Sequence, residues 1–384
     1  MLLSAMNREE THVQVDSAFP GGNIVLESIR GDEVLLHQDI RDTTVDWFYW
    51  YFRLMRAAGR TVRFRFTQSR AIGVRGPAVS LDQGATWSWI GADAVDENSF
   101  SYSVPADASE ARLSFTMPYV ESHWRRFMDD VRDHPAIEDG VLCVTPKGRN
   151  VDTVLLRSNA RPPEHRIVIT CRHHCCETIA SYVLEGLVAW ILRDPGAAWL
   201  RENAEILCLP FVDKDGVEDG DQGKSRHPRD HNRDYDGTSV WASTRAIREE
   251  IPGWADGRLR VGIDLHCPHI AGPQNEVVYL VGSENDSIAS EQRRFSEILE
   301  AVRKGPLPFS ASDYLAFGEG WNTRSNYASG KSFCRWLAEL PSVRLSTTVE
   351  VPYANAGGAE VNQGSARRLG ADLANALAEY LRRT

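Results

Sequence analysis

The residues best suited to chemistry are a histidine and an acid at the end of a predicted strand. His174 and Glu177 follow the apolar run at residues 166–171 and stand three apart at the start of a predicted helix. On a first helical turn this spacing puts both side chains on one side, where they suit two ligands of one zinc ion. The alternative is a surface pair, because Glu is favoured at helix starts anyway. A structural zinc site built on Cys175 and Cys176 fits poorly, since no second cysteine pair follows.

Two more candidates lie in later predicted strands. His266 ends the run at residues 259–265, and Glu350 lies within the apolar run at residues 344–351. His266 alone could simply cap a strand, but an acid in an apolar strand is costly to bury unless it has a partner or a task. With His174 and Glu177, His266 completes three ligands and leaves a fourth position for water, as catalytic zinc requires. Glu350 is then the expected general base.

A polar loop between these strands supplies donors. Asn232 and Arg233 follow a stretch rich in Gly and Asp, and an arginine can bind a carboxylate through two parallel hydrogen bonds. A solvated loop is the alternative interpretation. Arg226, earlier in the same stretch, is the expected positive charge for an oxyanion, with Lys224 and Arg229 as alternatives.

The elements that must position these residues change character near residue 120. From there on, strands alternate with helices, which predicts a mixed, mainly parallel sheet flanked by helices, with its site at the carboxyl ends of the strands. Before it, about seven short strands separated by turn residues predict an antiparallel β-sandwich. The predicted domains are therefore a sandwich at residues 1–120 and an α/β catalytic domain at residues 121–384.

Composition excludes several classes of protein. The 384 residues are 42% hydrophobic and 25% charged, which is typical of a soluble globular protein. No apolar run reaches the roughly 18 residues that a membrane helix needs, and the first residues lack a signal-peptide core. The net charge of −10 argues against non-specific nucleic-acid binding. Seven scattered cysteines suit a reducing compartment. We therefore expect a cytoplasmic protein with neither membrane nor nucleic-acid partners; the oligomeric state stays open.

The order of these motifs along the chain resembles the zinc carboxypeptidase family of carboxypeptidase A. The motifs are His174-x-x-Glu177, Asp230-x-Asn232-Arg233, a strand-end His266, Tyr327-Ala328-Ser329-Gly330 and a late Glu350. Asp264-Leu265-His266 and the N-terminal sandwich are similar to the cytosolic carboxypeptidase branch. Three features depart from the family: Cys175-Cys176 replaces the usual Pro-Gly, the loop at Tyr327 lacks one residue before the small residues, and the loop after Gly216 differs in length, so Arg226 is hard to align.

The resemblance implies one zinc ion per chain and hydrolysis of the C-terminal peptide bond of peptides or proteins. It implies that Asn232 and Arg233 bind the terminal carboxylate, that Tyr327 closes over the bound residue and that Arg226 polarises the carbonyl. Lys331 and Arg335, just past the tyrosine, suggest a preference for acidic C-terminal side chains. Two alternatives stay open, a zinc-dependent deacylase on the same fold and a binding protein with an inactive site. The tyrosine loop and the sandwich argue against the first, and the full ligand set with Glu350 argues against the second.

Overall fold

Short strands form two five-stranded sheets in the first part of the chain, in a computed structural model that describes residues 12–384. Strands β1 to β10 are Gln14–Asp16, Val25–Arg30, Glu33–His37, Tyr51–Met55, Thr61–Phe66, Ala78–Ser80, Ser88–Trp89, Val95–Asp96, Ser99–Ser103 and Glu110–Ser114. The strand orders are β1-β4-β10-β6-β7 and β2-β3-β5-β9-β8. The expected absence of a signal peptide concerns residues before 12, which lie outside the described part.

Aromatic side chains join the two sheets face to face. Phe52 on β4 and Phe64 on β5 belong to different sheets, and their ring centroids are 5.3 Å apart. Trp50 packs on Phe66 and Phe100 in the same layer. The predicted sandwich is therefore confirmed. It is not wholly antiparallel, because the chain crosses to the other sheet as β4 between β3 and β5, and these two strands pair in parallel.

The rest of the described chain alternates helices and strands. In chain order these are α1 Glu121–Val131, β11 Ile137–Val144, β12 Asn150–Leu156, β13 His165–Cys171, α2 Thr178–Arg193, α3 Ala198–Asn203, β14 Ala204–Leu209, α4 Lys214–Asp219, α5 Ala242–Ala255, β15 Leu259–His266, β16 Tyr279–Val281, α6 Asp286–Val302, α7 Phe333–Leu337, β17 Leu345–Glu350, β18 Asn355–Ala356, β19 Ala359–Glu360 and α8 Gln363–Arg382. None of the helices within residues 12–384 has the length and hydropathy that crossing a membrane requires.

Seven of these strands form one mixed sheet in the order β11-β12-β14-β13-β15-β17-β16. The pairings among β14, β13, β15 and β17 are parallel, and the three outer pairings are antiparallel. The predicted mixed α/β sheet is thus confirmed, with its parallel part confined to the centre. In register, Thr170 lies opposite Asp264 and His266 lies opposite Glu350, so the carboxyl ends of β13, β15 and β17 meet at one edge.

Helix α2, which follows the first ligand pair, is held against α8 by two glycines. A Cβ on Gly186 would lie 2.0 Å from the carbonyl oxygen of Arg367, and one on Gly370 would lie 2.0 Å from that of Val183. Only glycine permits so close an approach of two backbones. The start of α2 is therefore fixed on a rigid pair of helices.

The change of architecture falls between Ser114, the end of β10, and Glu121, the start of α1. Hydrophobic residues of both parts belong to one continuous core. The domain boundary at 120/121 remains a prediction.

Candidate metal centre

Three buried side chains converge at the carboxyl edge of the sheet. His174 Nδ1 lies 2.8 Å from Glu177 Oε1, and His266 Nδ1 lies 2.7 Å from Glu177 Oε2. One candidate ligand atom from each of the three residues lies within 4.8 Å of the others. The structure thus brings together the three residues that the sequence predicts as ligands.

A tight turn, and not the helix itself, carries the first two of these residues. Helix α2 begins at Thr178 with Glu177 as its N-cap, so His174 and Glu177 lie ahead of the helix and not on its first turn as predicted. Arg172 follows β13 at a φ of 61° and is fully buried. Its guanidinium donates to the carbonyl oxygens of Cys175 and Tyr119, each at 2.9 Å, which holds the turn in shape.

Each candidate histidine ligand has a second carboxylate on its far nitrogen. His174 Nε2 lies 3.2 Å from Asp230 Oδ1, and His266 Nε2 lies 2.6 Å from Asp264 Oδ2. Burial opposes ionisation of Asp230 and Asp264, but the adjacent histidines outweigh it and hold both pKa values well below the ordinary range. Such partners fix the ring orientation of metal-binding histidines and leave Nδ1 of each ring directed at Glu177.

The Asp264 carboxylate also contacts a second histidine, His173, which was not predicted as a site residue. His173 Nδ1 lies 2.8 Å from Asp264 Oδ1, and His173 Nε2 lies 2.7 Å from the Tyr235 hydroxyl. Thr170 donates to the same Asp264 oxygen at 2.8 Å. In the sequence, this network is indicated by the adjacent His173-His174 pair and by the Asp264-Leu265-His266 motif.

The donor atoms fit a zinc ion. Glu177 Oε2 makes no hydrogen bond, although His266 Nδ1 is only 2.7 Å away, so the contact lacks the alignment of a hydrogen bond. Two imidazole nitrogens and a carboxylate oxygen that point at a common centre are a ligand set of catalytic zinc sites. Cys175 Sγ instead donates to the Asp221 carbonyl oxygen at 3.0 Å, and Cys176 Sγ lies 3.8 Å from the Tyr353 hydroxyl.

Glu350 stands beside this centre at the end of β17. Its side chain is buried, and its Oε2 has no hydrogen-bond partner. Burial raises the pKa of Glu350 to about 7, although His266 and other cations oppose the rise. Glu350 and Glu177 line a cavity of about 240 Å³ together with Lys224, Asn326 and a wall of aromatic side chains that includes Trp47, Tyr279 and Trp321. The cavity is therefore lined both by Glu350, the candidate base, and by Glu177, one of the candidate metal ligands.

The predicted role of Arg226 needs correction. Its guanidinium lies 3.4, 3.1 and 2.7 Å from the carboxylates of Asp42, Asp213 and Asp221, and it does not line the cavity. Three acids already surround this charge, so it is not available to an oxyanion. Of the two alternatives, Arg229 forms an ion pair with the buried Asp234 at 3.1 Å, whereas Lys224 lines the cavity.

The predicted carboxylate-binding residues lie next to the cavity and not on its wall. Asn232 donates to Asp264 Oδ2 at 3.3 Å and accepts from the Phe333 amide at 2.9 Å. Arg233 donates to the Asn326 carbonyl oxygen at 3.0 Å, and its guanidinium lies 4.9 Å from the centre of the Tyr327 ring. No carboxylate within residues 12–384 forms an ion pair with Arg233.

One residue that the sequence analysis missed connects this group to the cavity. Asn326 lies on the cavity wall, and its buried amide nitrogen has no hydrogen-bond partner. Its neighbour Tyr327 donates to Asn322 Oδ1 at 3.0 Å. Lys331 and Arg335, which suggested an acidic preference, are each paired with a glutamate, Glu339 and Glu284. Their charges are thus already compensated.

Comparisons with known proteins point to the same chemistry. A model of the family described as zinc carboxypeptidase matches residues 125–351. Cytosolic carboxypeptidase 2 of Danio rerio is 25% identical over 270 residues, which cover 60% of this chain and 37% of that protein. Cytosolic carboxypeptidase 4 of Mus musculus is 28% identical over 205 residues, or 48% of this chain and 18% of that protein. The chain thus spans well under half the length of these relatives.

Solved structures share the whole fold. A metallo-carboxypeptidase from Burkholderia cenocepacia has a TM-score of 0.80 at 19% identity and covers 97% of this chain and 99% of its own. A metallo-carboxypeptidase from Pseudomonas aeruginosa has a TM-score of 0.76 at 18% identity, with 96% and 99% covered. At these identities the likeness concerns the fold, including both the sandwich and the α/β part.

Proposed function

Because this chain belongs to the zinc carboxypeptidase family, we propose that it is a zinc-dependent carboxypeptidase that hydrolyses the C-terminal peptide bond of peptides or proteins. One observation carries the proposal. Glu177, which forms a buried ligand set with His174 and His266, lines the same cavity as Glu350, a carboxylate whose Oε2 has no partner. Metal ligands with no general base nearby would suit a structural metal site. A general base with no metal ligands nearby would suit a reaction that needs no metal.

Different residues of the chain are proposed to carry out different steps of the hydrolysis. Zinc, when bound by the three ligands, polarises a carbonyl oxygen and lowers the pKa of water. Glu350 takes the proton of the attacking water and later gives it to the leaving amine, a task suited to a carboxyl whose pKa lies near the working pH. Lys224 replaces Arg226 as the positive charge toward the developing oxyanion, since it is the basic side chain on the cavity wall.

Arg233 is the proposed anchor of the substrate's terminal carboxylate. Its charge has no ion pair within the described chain, and the amide nitrogen of the adjacent Asn326 is a second donor without a partner. We assign Asn232, whose amide nitrogen lies 3.3 Å from Asp264 Oδ2 and 3.1 Å from His266 Nε2, to the same carboxylate. Tyr327, in contact with the Arg233 guanidinium, closes over the bound residue.

We propose that the protein acts in the cytoplasm. The relatives reported above carry the word cytosolic in their names. All seven cysteines of this chain are free thiols, which agrees with a reducing compartment. The proposed partner is the C-terminus of a peptide or protein.

The test compares one peptide as free acid and as C-terminal amide, with zinc present. A charged hydrogen bond to a carboxylate is worth about 1.5–3 kcal/mol, so kcat/KM for the free acid should be at least about tenfold higher. The gap should shrink in Arg233→Ala. Equal rates for acid and amide in the unaltered enzyme would contradict the proposal. Turnover of N-acyl amino acids but not peptides would indicate a deacylase, and no turnover with zinc would indicate a binding protein.

A further inference from the structure

One segment of the N-terminal sandwich, residues 39–49, binds the loop that carries Lys224. The carboxylate of Asp42 accepts the backbone amides of Gln222 at 2.9 Å and Gly223 at 2.8 Å, one on each oxygen. The backbone oxygen of Asp42 accepts the amide of His227 at 2.9 Å. Asp42 is itself buried, so these bonds are shielded from water. One acid of the sandwich thus fixes both ends of the loop at residues 222–227.

The side chain of Gln222 strengthens the same attachment. Its Oε1 accepts from the Tyr49 amide at 2.8 Å, and its Nε2 donates to the carbonyl oxygens of Asp39 and Tyr49, each at 2.9 Å. The hydroxyl of Thr43 donates to the carbonyl oxygen of Lys224 itself at 2.5 Å. Every polar atom of the Gln222 side chain is therefore bound to the sandwich and not to the catalytic part.

On its other side the loop at residues 222–227 packs closely against the turn that carries His174. Gly223 has a φ of 79°, and a Cβ there would lie 2.4 Å from the Cys175 nitrogen and 3.0 Å from His174 Cα. The next residue, Lys224, reaches the cavity, where its ammonium lies 5.9 Å from the centre of the Trp47 ring. Trp47 belongs to the same sandwich segment as Asp42. The loop is thus held between the sandwich and the turn that carries His174.

We infer that the sandwich is part of the catalytic apparatus and that Asp42 is a positioning residue that places the Lys224 ammonium at the substrate carbonyl. This inference rests on the proposed function for its kinetic consequence, but its structural content does not depend on any activity. A displacement of about 1 Å at a reacting centre costs on the order of 100-fold in rate. Loss of the Asp42 clamp should therefore act on kcat through Lys224, without contact between Asp42 and the substrate.

The first experiment is a double-mutant cycle on kcat and KM with zinc-loaded enzyme and a free-acid peptide. Lys224→Ala should lower kcat by about 100-fold, the typical effect of removing one oxyanion donor. Asp42→Asn should lower kcat at least about tenfold with less than a threefold change in KM. The double variant should be no slower than Lys224→Ala alone, because both changes remove the same interaction. Multiplied effects, or a normal kcat in Asp42→Asn, would overturn the inference.

The matched control is Asp46→Asn, which removes a carboxylate from the same segment. Asp46 is exposed, and its carboxylate accepts a hydrogen bond from Gln38 Nε2 at 3.3 Å. It should keep the kcat and the zinc content of the unaltered enzyme. If Asp42→Asn fails to fold, Thr43→Val takes its place, since it removes the bond to the Lys224 carbonyl oxygen together with the longer bond of 3.3 Å that the hydroxyl accepts from the Val45 amide.

A second experiment separates this inference from the proposed function. Amide hydrogen exchange across residues 220–226 should be at least about tenfold faster in Asp42→Asn than in Asp46→Asn, whether or not the protein hydrolyses peptides. Unchanged exchange there would refute the clamp even in an active carboxypeptidase. Faster exchange in a protein without peptidase activity would keep the clamp and reject the proposed function.

Discussion

Replacement of Glu350 by glutamine should abolish turnover and stabilise the metal-free protein at the same time. The change keeps the size of the side chain and removes its charge. Because Glu350 is the proposed base, kcat should fall by roughly 10² to 10⁴. Zinc content should not change, since Glu350 is not among the three ligands.

The gain in stability follows from the raised pKa of Glu350. Burial raises this pKa from 4.5 to about 7, which means that the folded state disfavours the ionised form. Below pH 4.5 the carboxyl is protonated in the folded and the unfolded chain, and the charge costs nothing. As the pH rises from 4.5 through 7 the cost grows, and above 7 it reaches about 3 kcal/mol. The glutamine variant has no such cost.

The assay is urea unfolding of both metal-free proteins at several pH values from 4.5 to 8. The free energy of unfolding of Glu350→Gln minus that of the unaltered protein should rise by about 3 kcal/mol across this range. Any constant difference caused by the amide cancels in the comparison between pH values. A difference that does not vary with pH would refute the desolvated carboxylate, and a normal kcat would place the base elsewhere.

Four further variants probe the ligands and their surroundings. Asp264→Asn should weaken zinc binding by about 10- to 100-fold in a chelator competition, because it removes the carboxylate that orients His266; unchanged affinity would contradict that role. Cys175→Ser should retain one zinc per chain by metal analysis, whereas His266→Ala should lose it, and the reverse result would reassign the ligands. Gly186→Ala should lower the free energy of unfolding by about 2 kcal/mol or more in urea, since the new methyl group meets the α8 backbone at 2.0 Å; a neutral effect would mean that the helices separate easily.

The elements that the sequence predicts well are those with a clear local pattern. The helices that the sequence predicts at residues 178–192 and 366–382 correspond to α2 and α8, and the apolar runs at 166–171, 259–265 and 344–351 correspond to β13, β15 and β17. The structure has all five within a few residues of these bounds. Strand β11 was missed because it is an edge strand whose sequence, Ile137–Val144, has an acidic pair and a glycine and buries little. Helix α5 was missed because Pro252 and Gly253, two helix breakers, lie inside it.

In the candidate site too, the residues with a local sequence signal were predicted, and those whose roles depend on long-range contacts were not. The ligand pair, His266 and Glu350 stand at strand ends, which a local pattern can indicate. The sequence around residues 224–226 could not show that Lys224, and not Arg226, reaches the cavity. One of the three acids around Arg226 is Asp42, which lies in the N-terminal sandwich, far away in the chain. Likewise, nothing near Asn326 in the sequence indicates that its amide would lie on the cavity wall. Long-range ion pairs and the direction of a loop side chain depend on contacts that one sequence does not display.

The position of the ligands, in the turn after β13 and at the end of β15, also bears on how the chain folds. These strands are neighbours in the sheet, yet α3, β14 and α5 lie between Glu177 and His266 in the chain. Closing so long a loop costs chain entropy, and this cost is offset only once the contacts between the two strands have formed. An ion shared by the two ends would act as a removable cross-link across that loop, so its binding free energy would count directly toward folding. Resistance to unfolding would then follow the concentration of free metal, with about 1.4 kcal/mol for each tenfold increase above the dissociation constant.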